Sequence, residues 1–357
     1  MIAFRHLHQP TGRYISKAGE PYLFFGGTAY LGLLDNPGYI DLYKKGIDTY
    51  GLNNGTSRSN NVQLGVYDEA EQRMASRFGF ETAALLSSGY LAAQVAVRTL
   101  SAGKKVLYAP DAHPALWLEP VLMDERSFED WRDSTIAYIN ASKETSFLII
   151  SNTLDNLTPR RYDFSPFVNL CDSSKHLFFI LDDSHGIGII HRDAISVDLG
   201  VMQKSPNIHL LIVASLAKGM GTDAGVVMGK NEIVQQVKAN PIFRGASPPS
   251  PASVYALING DSFYQSAFDR LHHNIFHLRG LLGRDSELCS ISAFPVFTSR
   301  DVHLYRHLLH QRVVISSFPY PLSDSPLLNR IVVSALHEDD DLEYLAEVCL
   351  LKKTINI

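Results

Sequence analysis

The sequence lacks the features that mark membrane, secreted and nucleic-acid-binding proteins. No apolar stretch approaches the about 18 residues of a membrane span, and the first fifteen residues contain histidines and a proline where a signal peptide needs an apolar run. The net charge of −5 gives no basic excess for nucleic acid or an anionic membrane. We therefore expect a cytoplasmic protein with neither a nucleic-acid nor a membrane partner.

Metal-site and dinucleotide-site motifs are also missing. The three cysteines, at positions 171, 289 and 349, are far apart, which fits reduced thiols and no metal. Asp182, Asp183, His185 and His191 lack the helical HExxH spacing of a metal hydrolase. No GxGxxG stands between a predicted strand and a predicted helix. These absences disfavour a metalloenzyme and a dinucleotide-binding domain.

What the sequence does contain is enough apolar material for a large core, since 45% of its 357 residues are hydrophobic. Buried strands alternate with helical segments from about 68 to 230, which predicts an α/β domain with a mainly parallel sheet covered on both faces. Short strands and helices after residue 241 indicate a small α+β domain. We divide the chain into an N-terminal segment, 1–40, a large domain, 41–245, and a small domain, 246–357. The proline-rich stretch 243–257 is predicted to cross between domains.

Two predicted strands end in side chains suited to catalysis. Leu177–Leu181 leads into Asp182 and His185, and Leu210–Val213 leads to Lys218 among glycines and small residues. Because ligands bind beyond the carboxyl ends of parallel strands, these three side chains are expected at one rim. A lysine that loses hydration there has a lowered pKa and becomes a usable amine, although a lysine reaching out of a turn is the alternative. Lysine plus carboxylate is the pair that pyridoxal phosphate requires.

Further candidates lie in the connecting segments. Gly89 and Tyr90 open a helix directly after a strand, and their backbone N–H groups could hold a phosphate. His113, in a loop, could stack on a flat ring or cap the next helix. Arg330 starts a strand and could pair with a carboxylate, or form a surface ion pair. Arg58 lies in the loop 51–65 and is a candidate for ligand contact or for a plain surface role.

Taken together, these segments resemble the α-oxoamine synthase family of pyridoxal phosphate enzymes, over about residues 20–350. The matching segments are YLGL (30–33), TSRSNNVQLGVYDEAE (56–71), SSGYLAAQ (87–94), DAHPA (111–115), DDSHGIG (182–188), SLAKG (215–219) and RIVVSALHEDDDLE (330–343). The resemblance implies the aspartate aminotransferase-like fold type I, with a seven-stranded sheet. It also implies a homodimer with composite sites.

The resemblance assigns a role to each candidate. Lys218 would hold pyridoxal phosphate and later move the Cα proton of the substrate. The remaining roles are pairing with the pyridine nitrogen (Asp182), contact with the phenolic oxygen (His185), stacking on the ring (His113), phosphate binding (Gly89, Tyr90, Ser215) and substrate binding (Arg330, Arg58). The implied reaction condenses an amino acid with an acyl-CoA and releases CO2, as in 8-amino-7-oxononanoate synthase.

Several positions depart from the family pattern. Tyr67 replaces a histidine, Thr28 replaces an asparagine, and SNTLDNLTP (151–159) and GMGTDAG (219–225) replace family segments. These changes affect the substrate walls more than the cofactor site. An aminotransferase, another fold type I enzyme, and a pyridoxal phosphate-binding homologue without turnover therefore remain alternatives.

Overall fold

The longest strands of the large domain coincide with apolar runs of the sequence. The computed structural model describes residues 4–121, 124–283, 286–319, 325 and 327–355. Within these residues the strands are β1 (Tyr14–Lys17), β2 (Glu20–Phe25), β3 (Thr82–Leu86), β4 (Lys105–Tyr108), β5 (Ser146–Asn152), β6 (Leu154–Asp155), β7 (Arg160–Arg161), β8 (His176–Asp182), β9 (Ile208–Ser215), β10 (Gly225–Gly229), β11 (Val296–Ser299), β12 (Val313–Pro319) and β13 (Leu327–Val332).

The helices occupy the amphipathic segments between these strands. In the described part of the chain they are α1 (Pro37–Tyr50), α2 (Gly65–Phe78), α3 (Gly89–Leu100), α4 (Phe128–Ala141), α5 (Ser165–Leu170), α6 (Gly200–Lys204), α7 (Asn231–Ala239), α8 (Pro241–Gly245), α9 (Pro251–Asn259), α10 (Asp261–Leu282), α11 (Leu304–His310) and α12 (Asp339–Ile355). None of the helices described is both long and apolar enough to cross a bilayer.

The large sheet carries the predicted site at the carboxyl ends of its parallel strands. Its strands lie in the order β3-β10-β9-β8-β5-β4. Strands β9, β8, β5 and β4 are parallel, and β10 pairs antiparallel with both β3 and β9. Alternate residues of its strands enter two separate apolar clusters, one on each face. This is the mainly parallel, doubly covered sheet that the sequence predicts.

The large sheet differs from the prediction in its strand count. Six strands are described, not seven, and β4 forms one edge. Beyond β4, the described residues up to Ser127 form a short 3-10 helix over Pro114–Leu116 and no strand. Prolines at 114 and 120 interrupt this stretch. Since proline donates no ladder hydrogen bond, a further strand is disfavoured there.

The small sheet joins the two ends of the chain. Its order is β1-β2-β12-β13-β11, and β2 runs parallel to β12, with Leu23 opposite Val313. Arg13 extends this junction through its hydrogen bond to Asp341, with 2.7 Å between Nε and Oδ2. The segment 1–40, predicted as a separate turn-rich part, thus contributes two strands to the C-terminal sheet.

The stretch 243–257, predicted to cross between domains, contains the end of α8 and most of α9, with residues 246–250 as a non-helical connection between them. Asn240 caps α8 by accepting the N–H of Ile242, and the prolines of 241 and 251 each occupy a helix's first turn. Helix α9 then packs closely on α1, because an added Cβ at Gly46 would lie only 2.7 Å from the Cα of Ala252. These residues therefore anchor the chain on the large domain before α10 leads to the small sheet.

Candidate active site

The two strand ends bring the predicted catalytic residues to one rim, as their sequence positions indicate. Asp182 ends β8 and pairs in register with Val213 of β9. Beyond β9, the lysine loop is closed by backbone hydrogen bonds between Leu216 and Ala224 (2.9 Å) and between Thr222 and Leu216 (3.2 Å). The strand register and this closed loop hold Lys218 over the end of β8.

Lys218 and His185 meet directly. The Nζ atom of Lys218 lies 3.1 Å from Nε2 of His185. Burial lowers the pKa of Lys218, and nearby Arg330 lowers it further, whereas Asp182 opposes the shift. Burial, Lys218, Arg330 and His113 together hold the pKa of His185 well below its ordinary value of 6.5. The pair is thus a neutral imidazole against an amine that loses its proton more readily than an exposed lysine.

Tyr30 and Arg330 complete this cluster from the small-domain side. The Oη atom of Tyr30 lies 2.8 Å from Nδ1 of His185, and a guanidinium N–H of Arg330 donates to the same Oη at 3.5 Å. Arg330 is 4% exposed, and its Nε has no hydrogen-bond partner among the described residues. A buried guanidinium with an unused donor is suited to a carboxylate.

The start of α3 has amides without a helical acceptor at the position predicted to hold a phosphate. The Ser88 side chain accepts the N–H of Leu91, and its carbonyl accepts the N–H of Ala92. The first-turn amides of Gly89 and Tyr90 have no acceptor within their own helix. Gly89 lies directly on β9, because an added Cβ would be 2.4 Å from the Cβ of Ser215. This contact places the N–H groups of Gly89 and Tyr90 beside the Ser215 hydroxyl.

His113 is held by the end of β5. Its backbone N–H donates to Oδ1 of Asn152 at 3.2 Å, and the Asn152 amide donates to the carbonyl of Asp111 at 2.7 Å. Asp111 has a φ of 56°, a left-handed conformation that turns the chain sharply. The His113 ring caps the following 3-10 helix by accepting the N–H of Ala115. Asp182 and Lys218 also act on the pKa of His113, which burial lowers, so the imidazole belongs to the same electrostatic cluster.

Arg58 has a different setting from the predicted one. Its guanidinium pairs with the buried Glu71 at 2.8 Å and lies over the rings of Tyr67 and Phe243, 5.0 and 5.6 Å from their centroids. Glu71 also binds Lys238 at 2.6 Å. These contacts engage Nη2 and the face of the guanidinium within this chain and tie the loop 51–64 to the core. Substrate contact by Arg58 stays a prediction.

Tyr67, the residue that replaces the family's histidine, is also structural. It is fully buried, and its hydroxyl donates to the carbonyl of Pro249 at 2.9 Å. Burial raises its pKa to about 12, although Arg58 opposes the shift. The phenol therefore stays protonated and fastens α2 to the segment before α9.

Several functional residues could not be found by sequence reasoning. Tyr30 carries no chemical signal in its motif and contacts His185 from 155 positions away. Asn152 and Thr153 lie in the altered segment 151–159 and hold the His113 loop and the Asp182–Asp183 turn. A polar pair directly after a buried strand was the available signal for these two residues.

The site fits pyridoxal phosphate on the evidence of its own residues. It offers an amine with a lowered pKa, a carboxylate at the end of β8, and a helix N-terminus with two amides left for an anion. The unpartnered Nε of buried Arg330 adds a place for a carboxylate. Among the described residues, no group of three or more histidine, cysteine or acidic side chains could hold a metal ion.

Comparisons with known proteins give a family match and sequence relatives. Residues 124–348 match the family described as aminotransferase class I and II. A relative named 8-amino-7-oxononanoate synthase, from Pseudomonas syringae pv. tomato, is 24% identical over 96% of this chain and 89% of its own length.

Solved structures share the fold at low identity. A serine palmitoyltransferase from Sphingomonas wittichii superposes with a TM-score of 0.81 at 18% identity, covering 98% of this chain and 92% of the other. An 8-amino-7-oxononanoate synthase from Francisella tularensis superposes with a TM-score of 0.71 at 18% identity, covering 94% and 99%. These findings confirm the predicted resemblance to α-oxoamine synthases, the fold type I architecture, and a pyridoxal phosphate-dependent transferase. Because the family match covers more than half of the sequence, the chain belongs to the aminotransferase class I and II family.

Proposed function

We propose that this protein is an acyltransferase of the α-oxoamine synthase type, which joins an amino acid to an acyl thioester and releases CO2. The observation that carries the proposal is the contact of Lys218 with His185 beside the buried, partly unpartnered Arg330. A base and a carboxylate-binding group in one electrostatic cluster suit a substrate that has an acidic Cα–H next to a carboxylate.

The cofactor would be held at four points. Lys218 would bind it covalently, Asp182 would pair with its pyridine nitrogen, and the amides of Gly89 and Tyr90 with the Ser215 hydroxyl would hold its phosphate. His113 and His185 would contact the ring. When bound, pyridoxal phosphate supplies an electron sink for the carbanion at Cα.

The chain's own residues account for the proton transfers. A lysine whose pKa is lowered by burial and by Arg330 has a larger neutral fraction, so it can take the Cα proton. His185 lies 3.1 Å from Nζ and orients the amine. Arg330 would bind the amino acid's carboxylate and so aim the Cα–H bond at Lys218.

The bonds of the overall reaction balance without an external oxidant or reductant. A new bond forms between Cα and the acyl carbon, and the thioester C–S bond breaks to release the thiol. The bond from Cα to its carboxyl carbon breaks to release CO2, and a proton takes its place. The product is an α-aminoketone. A small amino acid with an acyl-CoA, as the relatives' name suggests, is the proposed substrate pair.

A homodimer in the cytoplasm is the proposed working form. Large apolar side chains are exposed in the loop 51–64 and near the start of α3 and α8, namely Leu52, Val62, Tyr90 and Ile242, which are 75%, 69%, 62% and 38% exposed. The loop contacts the α8 region through the Ser59 hydroxyl, which donates to the Arg244 carbonyl at 2.8 Å. A second copy that covers this face would lie beside the cofactor cradle. The division of the chain into a large domain, 41–245, and a small domain, 246–357, is also a proposal.

The test begins with the cofactor and then separates the reactions. The purified protein with pyridoxal phosphate is expected to absorb in the visible range and, after borohydride reduction, to carry the adduct on Lys218 in mass mapping. Lys218→Ala should lose the adduct, whereas Lys204→Ala, on the exposed side of α6, should keep it.

Amino acids are then offered with and without acyl-CoAs. Exchange of the Cα proton with solvent, followed by thiol and CO2 release only when an acyl-CoA is present, supports the proposal. Transfer of the amino group to an oxo acid would assign an aminotransferase. Cofactor binding without Cα proton exchange would assign a non-catalytic homologue.

A further inference from the structure

We infer that Tyr30 is a positioning residue that fixes the tautomer of His185, with the ring proton on Nε2 and directed at Lys218. The inference deepens the proposed function, because it concerns how the base of the same site is oriented. It starts from one buried chain of contacts, in which Arg330 reaches Tyr30, Tyr30 reaches His185, and His185 reaches Lys218.

The phenol end of this chain determines the direction of its hydrogen bonds. Arg330 can only donate, so it uses Tyr30 Oη as an acceptor, at 3.5 Å. The Oη atom carries one proton of its own, and Tyr30 is 0% exposed, so that proton does not face bulk solvent. Within the described part of the chain, the acceptor within reach is Nδ1 of His185, at 2.8 Å. The phenol therefore donates to Nδ1.

The opposite arrangement carries a cost. If Nδ1 held the proton and donated to Oη, the phenol proton would be buried without a partner. An unsatisfied buried donor is unfavourable by an amount that decides between two tautomers of otherwise similar energy. Burial, together with Lys218, Arg330 and His113, also holds the pKa of His185 well below 6.5, so the ring is neutral and carries one proton. With Nδ1 accepting, that proton is on Nε2.

The lysine end agrees with this direction. Nε2–H points at Nζ, 3.1 Å away, and an uncharged amine can accept its hydrogen bond. A charged ammonium has no lone pair and would face the N–H unfavourably. The Tyr30 contact thus favours the uncharged amine that the proposed proton transfer needs. Tyr30 reaches Lys218 only through His185, so its role is positioning.

The experiment reads the tautomer directly, in full-length protein freed of cofactor. Histidine labelled with 15N is observed by solid-state NMR, and His185→Gln identifies the two ring-nitrogen signals by their disappearance. In the wild-type protein we expect Nδ1 to be unprotonated and Nε2 to carry the proton. A wild-type spectrum with the proton on Nδ1 would overturn the inference, whatever any variant does.

Tyr30→Phe removes the donor and keeps the ring. The preference for the Nε2–H tautomer is expected to fall about tenfold, the size of one ordinary hydrogen bond, and His185 is expected to gain its second proton at higher pH. The titratable and charged groups that face it, Lys218, Arg330 and His113, are the same in both proteins. Tyr344→Phe is the matched control, because its hydroxyl donates to the Gln311 carbonyl on the exposed face of α12.

An unchanged tautomer ratio in Tyr30→Phe, equal to that of Tyr344→Phe, would also refute the role of Tyr30. Near-ultraviolet circular dichroism checks that both variants are folded. Because these spectra need neither cofactor nor substrate, they can support the inference even if the acyl-transfer proposal fails, and the reverse holds as well.

Discussion

Gly89 offers a sharp test of whether the start of α3 and the end of β9 form one phosphate cradle. A Cβ added at Gly89 would be 2.4 Å from the Cβ of Ser215 and 2.7 Å from its Cα. Real Cβ atoms do not approach other atoms that closely, and the Ser215 Cα cannot move aside by a side-chain rotation because it belongs to the backbone. In Gly89→Ala, therefore, the helix N-terminus and the strand must move apart by about 1 Å to reach ordinary contact.

The size and sign of the effect follow from this contact. Overpacking of a closely packed site costs about 1–3 kcal/mol in the free energy of unfolding. The displaced amides of Gly89 and Tyr90 would also weaken phosphate binding, by about tenfold for the loss of one charge-assisted hydrogen bond. We expect lower stability without cofactor and, separately, weaker binding of pyridoxal phosphate.

Gly280→Ala is the matched control, because the same substitution is expected to raise the free energy of unfolding there. Gly280 lies in the last turns of the long helix α10, and an added Cβ would have no heavy atom within 4 Å. Alanine in an exposed helix is about 0.5–1 kcal/mol more favourable than glycine, so this variant should gain stability. Urea denaturation of both variants, followed by cofactor titration, measures the two effects. If Gly89→Ala unfolds at the wild-type urea concentration and binds the cofactor equally well, the close approach of α3 to β9 is not what forms the cradle.

Three further predictions concern buried polar groups. Burial raises the pKa of Asp183 to about 7. Because the folded carboxyl holds its proton more tightly than the unfolded one, the stability of the wild type should fall relative to Asp183→Asn as pH rises from about 4 to 7. Melting temperatures that change equally with pH in the two proteins would contradict this prediction. Burial lowers the pKa of His337 to about 4. Because the folded imidazole is neutral, its contribution to the free energy of unfolding is complete above pH 6.5 and is lost as pH falls toward 4. The stability of His337→Gln should therefore fall less than that of the wild type in that window, as measured by urea midpoints at each pH. Tyr67→Phe leaves the buried Pro249 carbonyl without its 2.9 Å donor and should lower the free energy of unfolding by about 1 kcal/mol in urea, whereas Tyr344→Phe, on the surface, should change it little.

The sequence predicts the core of the site because strand ends are a local signal. Asp182 and Lys218 each follow a buried apolar run, and parallel strands bring their carboxyl ends to one rim. The local signal does not identify Tyr30, because the contact of Tyr30 with His185 depends on how the two ends of the chain join into one small sheet. No residue pattern around Tyr30 specifies that long-range pairing.

Two segments have settings that the sequence alone does not reveal. The three prolines of 243–257 suggest a crossing segment, but one of them, Pro251, stands in the first turn of α9, where proline is favoured because its missing N–H has no partner to lose. Arg58 stands in a loop rich in glycine and asparagine, which is typical of a ligand-binding arginine. Glu71 lies thirteen residues away on α2 and takes the guanidinium as a buried partner, which only the tertiary structure reveals.

The two segments that depart from the family pattern, 151–159 and 219–225, make hydrogen bonds next to Asp182 and Lys218. In 151–159, Thr153 donates through its hydroxyl to the buried Asp183 carboxylate at 2.6 Å, next to Asp182. In 219–225, the Met220 carbonyl accepts hydrogen bonds from Tyr264 at 3.0 Å and from Tyr39 at 3.3 Å, two residues past Lys218. These contacts orient the carboxylate and the lysine loop without facing the rim themselves. Because the altered residues rebuild the support of the reactive groups, the departures are compatible with a retained cofactor chemistry. Differences in substrate choice would then arise in the residues that surround Arg330 and in the second copy of the proposed dimer.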